Sequence, residues 1–318
     1  MHIFIAGAGG AVGRSLIPLL TSNGHTVVGT TRSAAKVERL RALGAEPVVL
    51  DGLDRAAVMD AVASARPDAI VHEMTALAGL GDMRKFERAF EQTSRLRTVG
   101  TDNLLAAAAA SGVERVIAQS YAGWPTARVG APVKDEDAPL DPHPPKQLRA
   151  ALGAIVYLER AVTGAGGVAL RYGGLYGPGT GLVPGGDQWE MVRARKWPLV
   201  GNGAGVWSFA HIEDVASGTL AALERWTPGQ LYNVCDDDPA PAREWMPALA
   251  RAAGAKPPHH LPAWLARLVA GEHVVAMMCE VRGASNAKAK RELGWRLRWP
   301  TWREGFAALA SASGARAA

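Results

Sequence analysis

The sequence predicts an α/β fold: a doubly wound parallel sheet with a small C-terminal substrate lobe. Strand-like and helix-like segments alternate through the first 170 residues, a glycine-rich turn follows the first strand, and the alternation decays after residue 175. Alternating strands and helices of this kind build parallel sheets with right-handed crossovers.

The first strand candidate, Ile3–Ala6, runs into Gly7-Ala8-Gly9-Gly10-Ala11-Val12-Gly13 and an amphipathic stretch from Val12 to Leu20. Glycines at this spacing let the backbone turn sharply, approach a pyrophosphate closely and pack the helix on the strand. The helix N–H groups and its positive dipole end then face the phosphates, which makes this a dinucleotide-binding turn. Pro18 inside the stretch is expected to kink the helix or mark local tightening. Further strand candidates are Thr26–Thr30, Glu46–Leu50, Ala69–His72, Arg115–Gln119 and Val168–Tyr172. Helical patterns fall between them, over Ala34–Leu43, Arg55–Ser64, Met83–Ala110 and Arg149–Thr163. From Pro125 to Pro145 the chain is rich in proline and acid and reads as a surface loop at the mouth of the site. Beyond it, Pro257-Pro258, Pro262 and six of the ten tryptophans (Trp226 to Trp302) mark an irregular lobe. The expected division is a dinucleotide-binding domain over 1–175, joined by about 208–236, with 176–207 and 237–318 forming the lobe.

At 318 residues and 48% hydrophobic, the chain can bury a large core. Its longest apolar stretch, around Leu104 to Ala110, is far short of the ~20 residues that cross a bilayer. No charged-then-apolar leader precedes the first strand. Cys235 and Cys279 form neither a disulfide framework nor a metal-ligand spacing. A cytoplasmic protein without metal or membrane partner is expected. The +5 charge is scattered, whereas a nucleic-acid footprint needs a clustered basic face. The expected partner is a small molecule.

The end of the second strand reads Val28-Gly29-Thr30-Thr31-Arg32-Ser33. An acid at this point would bond the ribose 2′-hydroxyl of NAD and repel a 2′-phosphate. Here Thr31 takes the acid's place and Arg32 stands beside it, able to clamp a phosphate with paired N–H donors. The cofactor expected is NADP(H), with NAD as the alternative.

Together these segments resemble the extended and atypical short-chain dehydrogenase/reductases of the broad NAD(P)-dependent epimerase/dehydratase group, which share a Rossmann domain. The likeness rests on the glycine turn, Asp51-Gly52-Leu53-Asp54 and Val99-Gly100-Thr101-Asp102-Asn103-Leu104-Leu105. It continues through Leu170-Arg171-Tyr172, Tyr176-Gly177-Pro178-Gly179, Ser208-Phe209-Ala210-His211-Ile212-Glu213-Asp214-Val215 and Ala289-Lys290-Arg291-Glu292-Leu293-Gly294-Trp295. The resemblance implies that Gly7, Gly9, Gly10, Ala11, Val12 and Gly13 hold the pyrophosphate. It implies that Asp51 and Gly52 reach the adenine, and that Met74, Thr75 and Ala76 line the adenine-side ribose. Ala118, Gln119, Ser120, Tyr172 and Leu175 would face the nicotinamide. His211 and Asp214 are read as structural, and the helices over 83–110 and 149–163 leave a homodimer open.

The resemblance also exposes a loss. The group's chemistry uses a Tyr proton donor with a Lys four residues later, whose charge lowers the tyrosine pKa and holds the nicotinamide ribose. No Tyr-x-x-x-Lys exists in this chain. Anchoring on Glu159 puts Ala151 and Ile155 where the pair would stand. Tyr157, two residues past Ile155, lies about 200° around the helix and cannot substitute. Arg97 replaces a supporting Asn. Ser120 and Tyr121, at the end of the fifth strand, are the candidate catalytic groups; Lys146 and the His72-Glu73 pair are weaker ones. Nucleotide-sugar members carry Asn in the segment matching Gly174 and Arg in that matching Trp207, so neither position here holds a diphosphate. Trp207 suits an apolar or aromatic ligand. The expectation is an atypical NADP(H)-dependent oxidoreductase or isomerase acting on a small, partly apolar, non-nucleotide substrate. The alternatives are a non-catalytic NADP-binding sensor of the NmrA-like kind and a nucleotide-sugar epimerase or dehydratase.

Overall fold

The computed structural model describes residues 1–77 and 86–314. Seven parallel strands form the central sheet: β1 (His2–Ala6), β2 (Thr26–Thr31), β3 (Ala45–Val49), β4 (Ala69–His72), β5 (Arg115–Tyr121), β6 (Val168–Tyr172) and β7 (Leu231–Val234). Their spatial order is β7-β6-β5-β4-β1-β2-β3. The order reverses between β4 and β1, and in such sheets the crevice at the carboxyl ends beside the reversal is where nucleotides bind. Register sharpens that crevice. Ala6 pairs with His72, so the next residues, Gly7 and Glu73, leave the sheet side by side.

The alternation of β1 separates two apolar layers. Ile3 and Ile5 pack with Leu16, Ile17, Leu170 and Val215 on one face, while Phe4 and Ala6 pack with Val58, Val62, Ile70 and Leu104 on the other. Helices α1 (Ala11–Ser22) and α8 (Ile212–Glu224) cover the first face, and α3 (Arg55–Ala65) and α5 (Thr101–Ser111) the second. Helix α1 runs unbroken past Pro18, which lies on its exposed side while Val12, Leu16, Ile17 and Leu20 anchor the opposite one. Helix α3 is capped by the Asp54 carboxylate, which accepts the Ala57 N–H at 3.1 Å.

The single helix expected over Met83–Ala110 is three pieces. Met83, Arg84 and Lys85 lie outside the described residues; α4 (Phe86–Arg95) then passes through a π-helical turn, Leu96–Gly100, into α5. Helix α6 (Arg149–Gly164) follows the fifth strand; α2 (Val37–Ala42) lies between β2 and β3, and α7 (Asp187–Arg193), α9 (Ala242–Ala252) and α10 (Ala263–Ala270) lie in the later part of the chain. A second apolar core gathers Tyr176, Trp189, Phe209, Trp245, Trp302 and Phe306, with Met278 of the helix α11 (Glu272–Cys279). The proline-rich loop is fastened to that side rather than open. Arg128 binds Asp141 and Glu280, and the strand Val133–Lys134 pairs with Gly283–Ala284.

No helix among the described residues is long and apolar enough to cross a membrane.

Candidate active site

One cavity of about 1300 Å³ opens at the carboxyl ends of the strands and extends to the second core. Its floor is the glycine turn. Gly7 has φ +91, and a Cβ there would meet the Glu73 carbonyl carbon and oxygen at 2.7 Å, so only glycine fits. Its N–H donates to Thr30 Oγ1 at 3.1 Å, tying the turn to β2. Gly13 does not line the cavity; a Cβ there would meet the Ala8 backbone at 2.4 Å, so this glycine lets α1 sit on the turn. Gly9, Gly10, Ala11 and Val12 do line it, at the start of α1.

The rim beyond β2 is basic. Thr31, Arg32, Ser33 and Lys36 all line the cavity, with Arg32 and Lys36 exposed. Lys36 comes from the short 3-10 turn Ala34–Lys36, which brings its side chain over the turn: a Cβ on Gly9 would meet Lys36 Cδ at 3.2 Å. Sequence reading missed Lys36; its spacing of four from Arg32 was the available signal. The fit to a pyrophosphate-containing dinucleotide is therefore good. The glycine turn leaves room for phosphate, and the rim supplies cations for a further one.

Of the residues assigned to cofactor or substrate from the sequence, Gly52, Met74, Thr75, Ala76, Gln119, Tyr121, Tyr172 and Leu175 line the cavity. Besides Gly13, three of the expected residues do not. Asp51 is exposed, and its carboxylate accepts the Leu53 N–H at 3.1 Å in a local turn. Ala118 is fully buried against Leu158 and Val162. Ser120 is also fully buried, and its hydroxyl donates to Glu159 Oε1 at 2.6 Å. The physical reason for the last two is the period of a strand: on β5, Gln119 and Tyr121 point into the cavity, so Ala118 and Ser120 point away.

Ser120 belongs instead to a closed polar cluster. Arg171 grips Glu159 with two bonds of 2.7 Å, from Nε to Oε1 and from Nη2 to Oε2. The positions expected for the Tyr-Lys pair are apolar core. Ala151 and Ile155 pack with Trp124, Leu148, Leu152 and Met277 and do not line the cavity. Tyr157 donates to Asp102 at 2.6 Å on the outer side of α6. Lys146 is exposed and does not line the cavity.

Glu73 is buried on the cavity floor, and desolvation pushes its carboxyl up to about 8. The geometry gives the same answer. Tyr172 Oη lies 2.8 Å from both Glu73 Oε1 and Thr219 Oγ1, and Thr219 donates to the Val215 carbonyl at 2.8 Å. Two hydroxyl protons cannot fill three contacts, and a protonated Glu73 supplies the third. His72 is a satisfied neutral core histidine. Its Nδ1 accepts the Met74 N–H and its Nε2 donates to the Leu96 carbonyl, while burial lowers it to about 4. His211 and Asp214 are structural as expected: His211 accepts the Glu213 N–H at the start of α8, and Asp214 accepts the N–H groups of Arg298 and Trp299.

The reacting end is aromatic. Tyr121 and Trp124 sit with ring centroids 6.3 Å apart. Trp207, whose indole N–H donates to the Met277 carbonyl, stacks 6.4 Å from Phe209 and contributes to the wall. Gly174 beside it offers no side chain. Burial raises the Tyr121 hydroxyl to about 12 although the Arg97 charge opposes the shift, so it stays protonated at neutral pH.

A dinucleotide cradle at a switch point, opening on a lobe-walled cavity, defines a class of nicotinamide-nucleotide enzymes. The chain belongs to the NAD dependent epimerase/dehydratase family, whose model matches residues 3–235. It is similar to the 3-diazoavenalumate denitrifying reductase of a Streptomyces species, 44% identical over 96% of this chain and 99% of that one. It also resembles the 2-alkyl-3-oxoalkanoate reductase of Stenotrophomonas maltophilia, 29% identical over 80% of this chain and 76% of the relative. Among solved structures, UDP-glucose 4-epimerase with UDP-glucose from Thermotoga maritima superposes with a TM-score of 0.76 at 21% identity, covering 100% of both chains. That last likeness concerns the fold.

Proposed function

We propose that this protein is an NADP(H)-dependent reductase that replaces the diazo group of an aromatic acid with hydrogen. The observation that carries the reading is the reacting end itself: aromatic walls, and buried Ala151 and Ile155 where a proton relay would stand. NADPH supplies a hydride when bound, held by the glycine turn with Arg32, Ser33 and Lys36 about the 2′-phosphate. Reducing a carbonyl also requires a proton on the developing alkoxide, so losing the relay is costly there. An arenediazonium differs. One hydride neutralises its positive charge, the resulting aryldiazene loses N2, and a C–H bond remains, with no external acid needed. The name and 44% identity of the Streptomyces reductase support the same chemistry.

In this reading Tyr121 contacts the substrate and orients it through a neutral hydroxyl. Ser120, engaged by Glu159, takes no part. The lobe over 176–207 and 237–318 holds the substrate ring, with Trp207 in its wall. A second reading, ketone reduction with Tyr121 as proton donor, is favoured by that residue's place in the cavity and by the Stenotrophomonas relative. A nucleotide-sugar substrate is disfavoured by Gly174 and Trp207.

The test is NADPH consumption with a diazotised aminocinnamate and, separately, with a 3-oxoalkanoate, while N2 release is measured. One N2 released per NADPH consumed is expected with the first substrate. Turnover of the oxo acid alone would replace this reading with the second.

A further inference from the structure

The cavity is unevenly charged. Arg32, Lys36, Arg97 and Lys196 line it, and among the described residues Glu73 is the only carboxylate that does. Arg32 and Lys36 stand at the cofactor rim, and Lys196 is exposed on the lobe. Arg97 is different, because it lies within the reacting end and is only 3% exposed.

Arg97 stands in the π-helical turn Leu96–Gly100, a geometry that re-aims side chains and recurs at functional sites. It lines the cavity together with Leu96, Tyr121 and Trp124, and its Nε has no hydrogen-bond partner. Among the described residues no carboxylate forms an ion pair with it. Glu159 is near enough to influence its charge, but both Glu159 oxygens are taken by Arg171. Burial lowers the Arg97 guanidinium to about 10, which leaves it cationic at neutral pH. A desolvated cation without an anion is among the more costly groups a fold can carry. A second buried arginine, Arg171, shows how this same fold satisfies one internally.

We propose that the Arg97 guanidinium receives an oxyanion of the substrate, the carboxylate or phenolate of the aromatic acid, at the end of the cavity bounded by Tyr121 and Trp124. The planar fork of an arginine matches such an oxygen pair or oxygen edge, and the dry surroundings strengthen the contact. The substrate's anion completes the charge balance that the protein leaves open. It also offsets the repulsion between Arg97 and a positively charged diazo group. The assignment rests on the reading of this site as one for an aromatic acid, and it is independent of the diazo step.

The experiment is calorimetric titration of the NADP+-loaded protein with cinnamate, 4-hydroxycinnamate and 4-hydroxycinnamamide, for wild type, Arg97→Met and Arg97→Lys. If the carboxylate is the anion, Arg97→Met weakens both acids by about tenfold or more and spares the amide. If it is the phenolate, the two hydroxylated ligands weaken and cinnamate is spared. In either case NADP+ affinity is unchanged, and Arg97→Lys recovers part of the loss. Because Arg97 makes no ion pair, Arg97→Met should melt no lower than wild type; Arg97→Lys carries the test if it does. Equal weakening of all three ligands, a matching loss of NADP+ affinity, or no binding of any acid to wild type would overturn the proposal. Failure of diazo turnover with these binding differences intact would remove the diazo reading and leave Arg97 in place.

Discussion

The two ends of the cavity are built on opposite plans. At the cofactor end the ligand is met by backbone, and what matters is the absence of side chains: Gly7 against the Glu73 carbonyl, Gly13 against Ala8. At the reacting end the proposed chemistry depends on side chains, and the chain carries no Tyr-x-x-x-Lys there or elsewhere. Ala151 and Ile155 are sealed into an apolar cluster, and the neighbouring polar groups Ser120, Glu159 and Arg171 close on one another. Under the proposed reading, the contrast makes nucleotide binding and proton transfer separable in this architecture. A cradle defined by main-chain geometry tolerates almost no change, while a relay carried by two side chains can be refilled without disturbing the cradle.

The sharpest way to break the comparison is at the closed cluster. Arg171→Met strips buried Glu159 of its ion-pair partner, and should cost about 3–5 kcal/mol of stability in a denaturant melt; Arg97→Met, by comparison, should cost nothing measurable. Next comes the cradle. Gly7→Ala forces a Cβ onto the Glu73 carbonyl at positive φ, and a titration should show cofactor binding weakened by about 100-fold, or ~2.7 kcal/mol.

The pH dependence of stability probes the floor between the two ends. Glu73 and Asp236 are both raised to about 8 by burial, so the folded state holds protons that the unfolded chain releases above its ordinary carboxyl range. Their contribution falls as pH rises from about 4.5 to 8. His72 and His211, both lowered to about 4, act in the opposite sense, adding stability as pH rises from about 4 to 6.5. The two trends oppose each other up to about pH 6.5, and above it a net fall remains until about pH 8. Glu73→Gln should remove on the order of 2 kcal/mol of that fall in melts across this window.

Two smaller effects separate the ends by function. Arg32→Ala should weaken NADPH by about tenfold and leave NADH unchanged, read by fluorescence titration. Tyr121→Phe should keep turnover of a diazo acid within about threefold of wild type, whereas loss of a proton donor costs ~10²–10⁴. A loss in that larger range would turn the argument toward ketone reduction.

Most of the cofactor end was legible in the sequence because it obeys local rules. Strands β1 to β6 were placed to within one or two residues, and the glycine spacing located the cradle. Strand β7 was foreseen only as part of 208–236, since four residues between irregular segments carry no usable period. At the reacting end, alternation along β5 already separates Ser120 from Tyr121, and treating them as one pair overlooked it. Asp51 was assigned by motif, but its carboxylate is captured by the Leu53 N–H only two residues away. The closure of Glu159 on Arg171 and the arrival of Met277 from α11 are tertiary facts, invisible to local pattern. So is the π-helical turn that puts Arg97 in the cavity, since a lone Gly100 within a helical pattern does not by itself specify a π-turn.

The late position of β7 in the chain also bears on how the molecule is made. Strand β6 pairs with β5 on one side and waits for Leu231–Val234 on the other. Until that segment leaves the ribosome, a nascent chain carries an unpaired sheet edge, the kind of surface that invites pairing with a neighbouring chain. Because the polypeptide enters the second core at Tyr176, returns for α8 and β7, and leaves again at Ala240, that core cannot be exchanged as a cassette. Swapping substrate pockets between relatives would therefore mean transplanting two strips of sequence at once while keeping the strand between them.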